Sequence, residues 1–284
     1  MLLNPLKFHS PEKLSDVIGL YGSLQNVRLM AGGTFLLNSL KLLKRNGAKT
    51  PEHVISLRKV KDLKGLNLDK DCLMIRSMTT ITEIFESPLL TDNFSVLKTV
   101  CRNISTTPIR NMATIGGNLT CRYTWTEMPA VMIALNANMH FIDKEGKEQM
   151  IGAEDFFKNA AKTDKILTHI SIKKDNKASI AYQRIKKTSY VDTPLLSLCI
   201  NTQIKGHQFL ETRVAINNCV TFAVRDLVLE NFLKQTQISK TIGHEALDHL
   251  DKTIYDTRSN DYKKYMFRVC LKNAITELAD KIKK

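Results

Sequence analysis

Two stretches of this chain strip side chains from places where a phosphate would want bare backbone. In "RLMAGGTFLLNSLKLL", residues 28–43, four strand-like residues meet Gly32 and Gly33, then Thr34, then an apolar pattern of helical period. In "NMATIGGNLT", residues 111–120, a second pair, Gly116 and Gly117, follows a short β-branched run and leads into Asn118. A glycine turn that opens a helix leaves backbone N–H groups unpaired and partly positive, which invites a phosphate. Two glycines after a strand are just as readily a plain tight turn. Neither the G-x-G-x-x-G fingerprint nor the G-x-x-x-x-G-K-[ST] loop is present, which disfavours an ordinary Rossmann NAD site and an NTPase.

The second pair has the richer surroundings. Pro108 fixes the approach of the chain, Thr114 supplies a hydroxyl and Asn118 offers both a donor and an acceptor, so the segment can ligate a diphosphate. Nine residues after Asn118 stands Glu127, just ahead of a helix opened by Pro129, where a carboxylate could accept from sugar hydroxyls. Between them lies Trp125, the only tryptophan, read either as a stacking partner for a cofactor or as part of a loop packed on the next domain. The seven histidines are scattered, and no nucleophile or acid–base pair stands out.

The elements that position these residues alternate at first. "SPEKLSDVIGLYG" predicts a helix capped by Ser10, with Pro11 at its first position and Leu14, Val17 and Ile18 on one face. "VRLM", "TFLLNSLKLLKRNG" and "HVISL" predict a βαβ unit whose helix starts at Thr34 and stops before Gly47. "DCLMIRS" predicts a strand, followed by a helix with a Thr80–Glu83 capping box. "DNFSVLKTVCRNI" and "MPAVMIALNA" predict helices. From about residue 178 the pattern turns to long apolar strands, "SIAYQRI", "LLSLCINTQI" and "FLETRVAINN", the last two joined as a hairpin by "KGHQ". Helices are expected over 222–236 and 261–283, and the boundary between halves falls in the polar "KKDNK" at 173–178.

Composition narrows the classes. With 284 residues, 43% apolar and 25% charged, the chain is globular material long enough for more than one domain. No leader-like start and no long apolar span is evident, so no membrane insertion is expected. Six widely spaced cysteines with no C-x-x-C pair suggest buried thiols in a reducing cytoplasm rather than a metal or redox site. A net charge of +14 could mark a nucleic-acid binder. The basic residues are dispersed among acidic ones with no finger, RNP-like pair or basic helix, so a solvated surface or a docking face for an acidic protein is preferred.

Together "AGGT" after an early strand, "IRNMATIGGNL", a carboxylate before "MPA", then "KILTHISI" and the basic strand "YQRIKKTSYVD" resemble the FAD-binding medium subunit of molybdenum hydroxylases, the xanthine and carbon monoxide dehydrogenase flavoprotein family. The likeness runs nearly end to end. It implies an α+β chain: a two-part FAD domain of the PCMH or vanillyl-alcohol-oxidase type over 1–175, then a C-terminal α+β domain over 176–284 with a three-stranded antiparallel sheet and helices.

The same resemblance implies the site residues. Its first pyrophosphate turn falls on Leu29, Met30, Ala31, Gly32, Gly33, Thr34, Phe35 and Leu36, and its second on Thr114, Ile115, Gly116, Gly117 and Asn118. Ile104 falls near the flavin, Leu167 where an apolar residue touches the isoalloxazine, and Arg184 where a basic residue approaches the ring. Glu127 stands where the family usually has Asp, Cys121 where a small polar residue is common, and Thr188 where an arginine is expected. FAD would then sit on this chain, with [2Fe-2S] clusters on a small partner, molybdopterin on a large one, and NAD a possible acceptor. The alternatives are a self-contained flavin oxidase, and a basic nucleic-acid-binding or scaffold protein that would hold no chromophore.

Overall fold

The computed structural model describes residues 5–158, 163–219, 222–255 and 260–281. Three sheets follow one another along the chain. The first is wholly parallel, in the order β1 (Lys7–His9), β3 (His53–Ser56), β2 (Val27–Met30). Its crossover from β2 to β3 is α2 (Leu36–Arg45), which gives the expected βαβ unit, and Gly47 beyond the helix takes φ +67°. The helix starts later than the sequence suggests. Thr34 makes no cap bond, and Phe35 occupies the N-cap position instead. The preceding helix α1 (Leu14–Ser23) likewise begins past Ser10 and Pro11, because the chain bends at Glu12 and Lys13 and it is Lys13, with extended backbone, that takes the N-cap position.

The second sheet is antiparallel, in the order β4 (Leu66–Asp69), β5 (Cys72–Arg76), β8 (Ile166–Lys173), β6 (Asn138–Ile142), β7 (Glu148–Gly152). Four of these strands, β4, β6, β7 and β8, carry weak local signals. Between β5 and β6 the chain runs through α3 (Ile81–Glu86), α4 (Ser95–Asn103), α5 (Thr107–Arg110), α6 (Ile115–Thr120) and α7 (Met128–Ala134), and α8 (Ala153–Lys158) follows β7. The Thr80–Glu83 capping box forms in full at the start of α3.

The third sheet holds the three long antiparallel strands expected, β9 (Ala178–Lys186), β10 (Pro194–Lys205) and β11 (Gln208–Asn217), plus a two-residue β12 (Val224–Arg225). That short strand takes the start of the helix expected from 222, so α9 spans Leu227–Gln235. After α10 (Ile242–Glu245) and α11 (Lys252–Tyr255) comes α12 (Asp261–Asp280), while positions 282 and 283 of the helix expected there lie outside the described residues.

Packing joins the pieces. Every residue of α7 is buried, since the helix lies on β10 and β11 while its apolar side chains belong to the core of the second sheet. Cys199 and Ala215 from the third sheet enter that same core, whereas Leu198, Ile200, Val214 and Ile216 face the helices α9 and α12. The alternation of β-strand side chains thus gives one sheet two apolar faces. A half-buried ionic link reinforces the seam: Arg225 donates to Glu154 of α8 at 2.9 Å and pairs with Glu230 of α9 at 2.5 Å.

Candidate functional site

The two glycine turns meet. Gly32 packs so closely on the chain before the second turn that a Cβ there would lie 1.9 Å from the Met112 carbonyl oxygen, inside any van der Waals limit. A Cβ on Gly117 would reach 3.4 Å from that of Ala31. Bare backbone is therefore what lets residues 31–33 and 112–117 share one surface.

Their N–H groups are used very differently. In the second turn Ile115 donates to the Thr79 carbonyl at 3.0 Å, Gly116 to that of Ser77 at 2.8 Å, and Asn118 to that of Thr114 at 2.9 Å. Gly117 donates to the Thr114 hydroxyl, which caps α6, at 3.2 Å. In the first turn the N–H groups of Gly32, Gly33, Thr34 and Phe35 find no acceptor among the described residues. Gly33 adopts φ +74°, a left-handed conformation that glycine accepts without strain. Four consecutive free donors lead into α2, a run that can hold an anion. Sequence alone suggested donors in both turns, and the structure leaves them free only in the first.

Polar side chains around the second turn are partly unanswered. Asn118 Oδ1 and Ser77 Oγ are buried with no hydrogen-bond partner. An orphaned acceptor costs free energy unless a donor arrives, so this cradle fits a ligand carrying hydroxyl or amide groups. Cys121 turns inward and donates to the Asn118 carbonyl at 3.0 Å, and burial pushes its thiol up, away from reactivity. All six cysteines are free thiols.

Glu127 precedes α7 and is buried. Its carboxylate pairs with the Arg184 guanidinium across the β9 seam and accepts from the Tyr182 hydroxyl at 3.1 Å. Burial raises its pKa and the two partners oppose that rise. Arg184 also donates to the Asp192 carbonyl at 3.1 Å, which anchors the basic strand. Sequence reading missed Tyr182, although it stands two residues before Arg184 on β9, and residues two apart share a strand face. Thr188 is exposed, and its hydroxyl donates to Asp192 at 3.4 Å.

The remaining expected residues are placed as follows. Ile104 ends α4, half-buried against the main core, where Arg110 donates to its carbonyl and to that of Ser105, each at 3.0 Å. Leu167 is buried on β8 in the same core. Leu29, Met30 and Leu36 are half-buried along the β2–α2 turn. Trp125 stacks on Tyr123 at 4.4 Å, and Tyr123 in turn lies 4.0 Å from Phe35. The tryptophan loop is thus packed on the first glycine turn, and its Tyr123 hydroxyl bonds Ser39 of α2 at 3.2 Å.

With that geometry in view, a sequence model of the FAD binding domain in molybdopterin dehydrogenase matches residues 4–173, more than half of the chain. The chain belongs to this family. Its cofactor is therefore FAD, and the free N–H run, the Cβ-free contact and the orphaned Asn118 oxygen suit that ligand. Among relatives of this molybdopterin dehydrogenase FAD-binding chain is the carbon monoxide dehydrogenase medium chain of Hydrogenophaga pseudoflava, 24% identical over 233 residues that cover 77% of this chain and 76% of the relative. Another is the glyceraldehyde dehydrogenase medium chain of Sulfolobus acidocaldarius, 21% identical over 276 residues, covering 94% and 96%. A solved structure of carbon monoxide dehydrogenase from Hydrogenophaga pseudoflava superposes with a TM-score of 0.89 at 22% identity, covering 99% of both chains, which establishes the common fold. No helix among the described residues is long and apolar enough to cross a membrane.

Proposed function

We propose that this chain is the FAD-binding electron-transfer subunit of a multi-subunit molybdenum hydroxylase, receiving electrons from iron–sulfur clusters on a small partner and delivering them to NAD or another acceptor. In this reading a large partner holds molybdopterin and oxidises the organic substrate. The names of the medium-chain relatives support the assembly, and the free thiols fit work in a reducing cytoplasm. The proposed division is a flavin domain over 1–175 and a C-terminal domain over 176–284.

The reading rests on the four free N–H groups of Gly32–Phe35 held against Ala31 and Gly117. These donors would bind the diphosphate, and the Thr114–Asn118 turn would shape the opposite wall. Glu127, held by Tyr182 and Arg184, would accept from sugar hydroxyls. Leu167, Ile104 and Arg184 would border the ring. Bound FAD supplies the redox chemistry, and the residues above orient it. Sequence alone offers no metal-ligand spacing, and no group of three or more His, Cys, Asp or Glu gathers among the described residues.

Two measurements test this. Acid precipitation of the purified chain should release a yellow supernatant, since neither turn holds an obvious attachment residue. The FAD-loaded chain, mixed anaerobically with purines, nicotinate or aldehydes, should not bleach without its partners. Rapid reduction by an organic substrate alone would favour the self-contained oxidase.

A further inference from the structure

We propose that the C-terminal helices carry a second small-molecule site, for an organic anion with an apolar body. A cavity of about 480 Å³ opens between α11, α12 and the segment after α10, within the size range of ligand pockets. None of the described residues lining it belongs to the proposed flavin site, whose members run from Leu29 to Arg184, and none lies within 4–173, where the FAD family matches.

The lining is built in two layers. Its floor is apolar: Leu247, Leu250, Tyr255 and Phe267. The aromatic part is fixed in place, because the Tyr255 and Phe267 rings pack at 4.2 Å and the Tyr255 hydroxyl donates to buried Asp226 at 2.6 Å. Asp226 in turn caps α9 through the Leu229 N–H at 2.9 Å, which ties this wall to the sheet. A preformed wall lowers the entropy cost of binding.

Around the floor stand Lys252, Lys264 and Arg268 and, among the described residues, the carboxylate of Asp248. Arg268 donates one N–H to the Leu247 carbonyl at 3.2 Å, which holds the guanidinium at the rim. Neither Arg268 nor Lys252 forms an ion pair among the described residues. Arg268 and Lys252, both beside an aromatic floor, select a negatively charged head on a hydrophobic body. Cys219 also lines the cavity, but burial holds its thiol protonated, with a pKa near 11, so binding there is non-covalent.

The test is calorimetry on the full chain with FAD in excess, using anilinonaphthalene sulfonate as the probe. It should bind saturably at one site and be displaced by decanoate far better than by decanol. Arg268→Ala and Lys252→Ala, both at exposed positions, should each weaken binding about tenfold while leaving the flavin content unchanged. Leu250→Trp, which fills the cavity, should abolish it. Absence of saturable binding, equal displacement by the alcohol, or probe affinity unchanged in Arg268→Ala and Leu250→Trp would overturn the proposal. The outcome is independent of the flavin reading, which is followed separately by the visible absorbance.

Discussion

The two glycine pairs look alike as dipeptides and do opposite work. At the first, the backbone is left-handed at Gly33 and four N–H groups are free. At the second, the backbone is helical and every N–H from Ile115 to Asn118 is spent inside the protein, with Gly116 wedged so that a Cβ would lie 2.6 Å from the Ser77 carbonyl oxygen. Gly32 and Gly116 are bare because protein carbonyls, those of Met112 and Ser77, press on them, whereas Gly33 is bare for its left-handed backbone beside the free N–H groups. A glycine motif therefore says that something approaches closely, and only its hydrogen-bond accounting says what.

The sharpest way to break this contrast is Gly116→Ala. It should cost about 3 kcal/mol or more of stability, as overpacking against rigid backbone does, and lower the melting temperature with or without FAD. An unchanged melting point would remove the packing role. Next comes Glu127→Gln. Arg184 is left buried without its counter-charge while the amide can still accept a hydrogen bond, so a loss of about 2 kcal/mol is expected in denaturant titrations, with weaker FAD retention on gel filtration.

Gly33→Ala should instead act mainly on the ligand. The strain of a left-handed alanine is about 1–2 kcal/mol, and FAD affinity should fall about tenfold while the FAD-free melting point moves only a few degrees. Equal affinity in the variant and the wild type would erase the difference between the two turns. Thr114→Ala removes the cap of α6 and should cost about 1 kcal/mol, read in the same titrations.

The smallest effect is graded with pH. Ser77 bridges the second turn to β8, accepting from the Gly116 N–H and donating its own N–H to the Thr168 carbonyl at 2.9 Å. Beside Thr168 the His140 and His169 rings stack at 4.0 Å. Burial, then the neighbouring His140 and Arg76, hold His169 down at about 4 from an ordinary value of 6.5. The unfolded chain therefore takes the proton first, and stability present above pH 6.5 drains away as the pH falls towards about 4. The raised carboxyl of Glu127 works with the opposite sign, its contribution declining as pH rises from 4.5. Melting curves of His169→Gln against wild type across that window isolate the histidine, whose loss should flatten the acid slope.

Much of this was legible locally. The Thr80–Glu83 box, the β2–α2–β3 unit and the β9–β11 strands follow from short-range rules, and the glycine pairs announce themselves. Ser10 and Thr34 misled because a capping residue type signals a helix start only when the chain turns into the helix there, and it does so at Lys13 in one case and at Phe35 in the other. The second sheet was largely hidden since β7 is mostly exposed and lacks an apolar rhythm, while β8 pairs with strands far away in sequence. Nothing local could reveal that Glu127 and Arg184, on opposite sides of a predicted boundary, form one buried pair.

The bridge through Ser77 also orders events in time. The parallel β2–α2–β3 unit closes within about thirty residues, a short loop with a small entropic cost. The second turn must wait for residue 77, residue 114 and residue 168 to converge, joined by the Thr80–Thr114 bridge and the Ser77–Thr168 bond. Contacts of such separation form slowly. The proposed flavin cradle therefore depends on a strand that enters the chain about fifty residues after its second turn, through the Ser77–Thr168 bond.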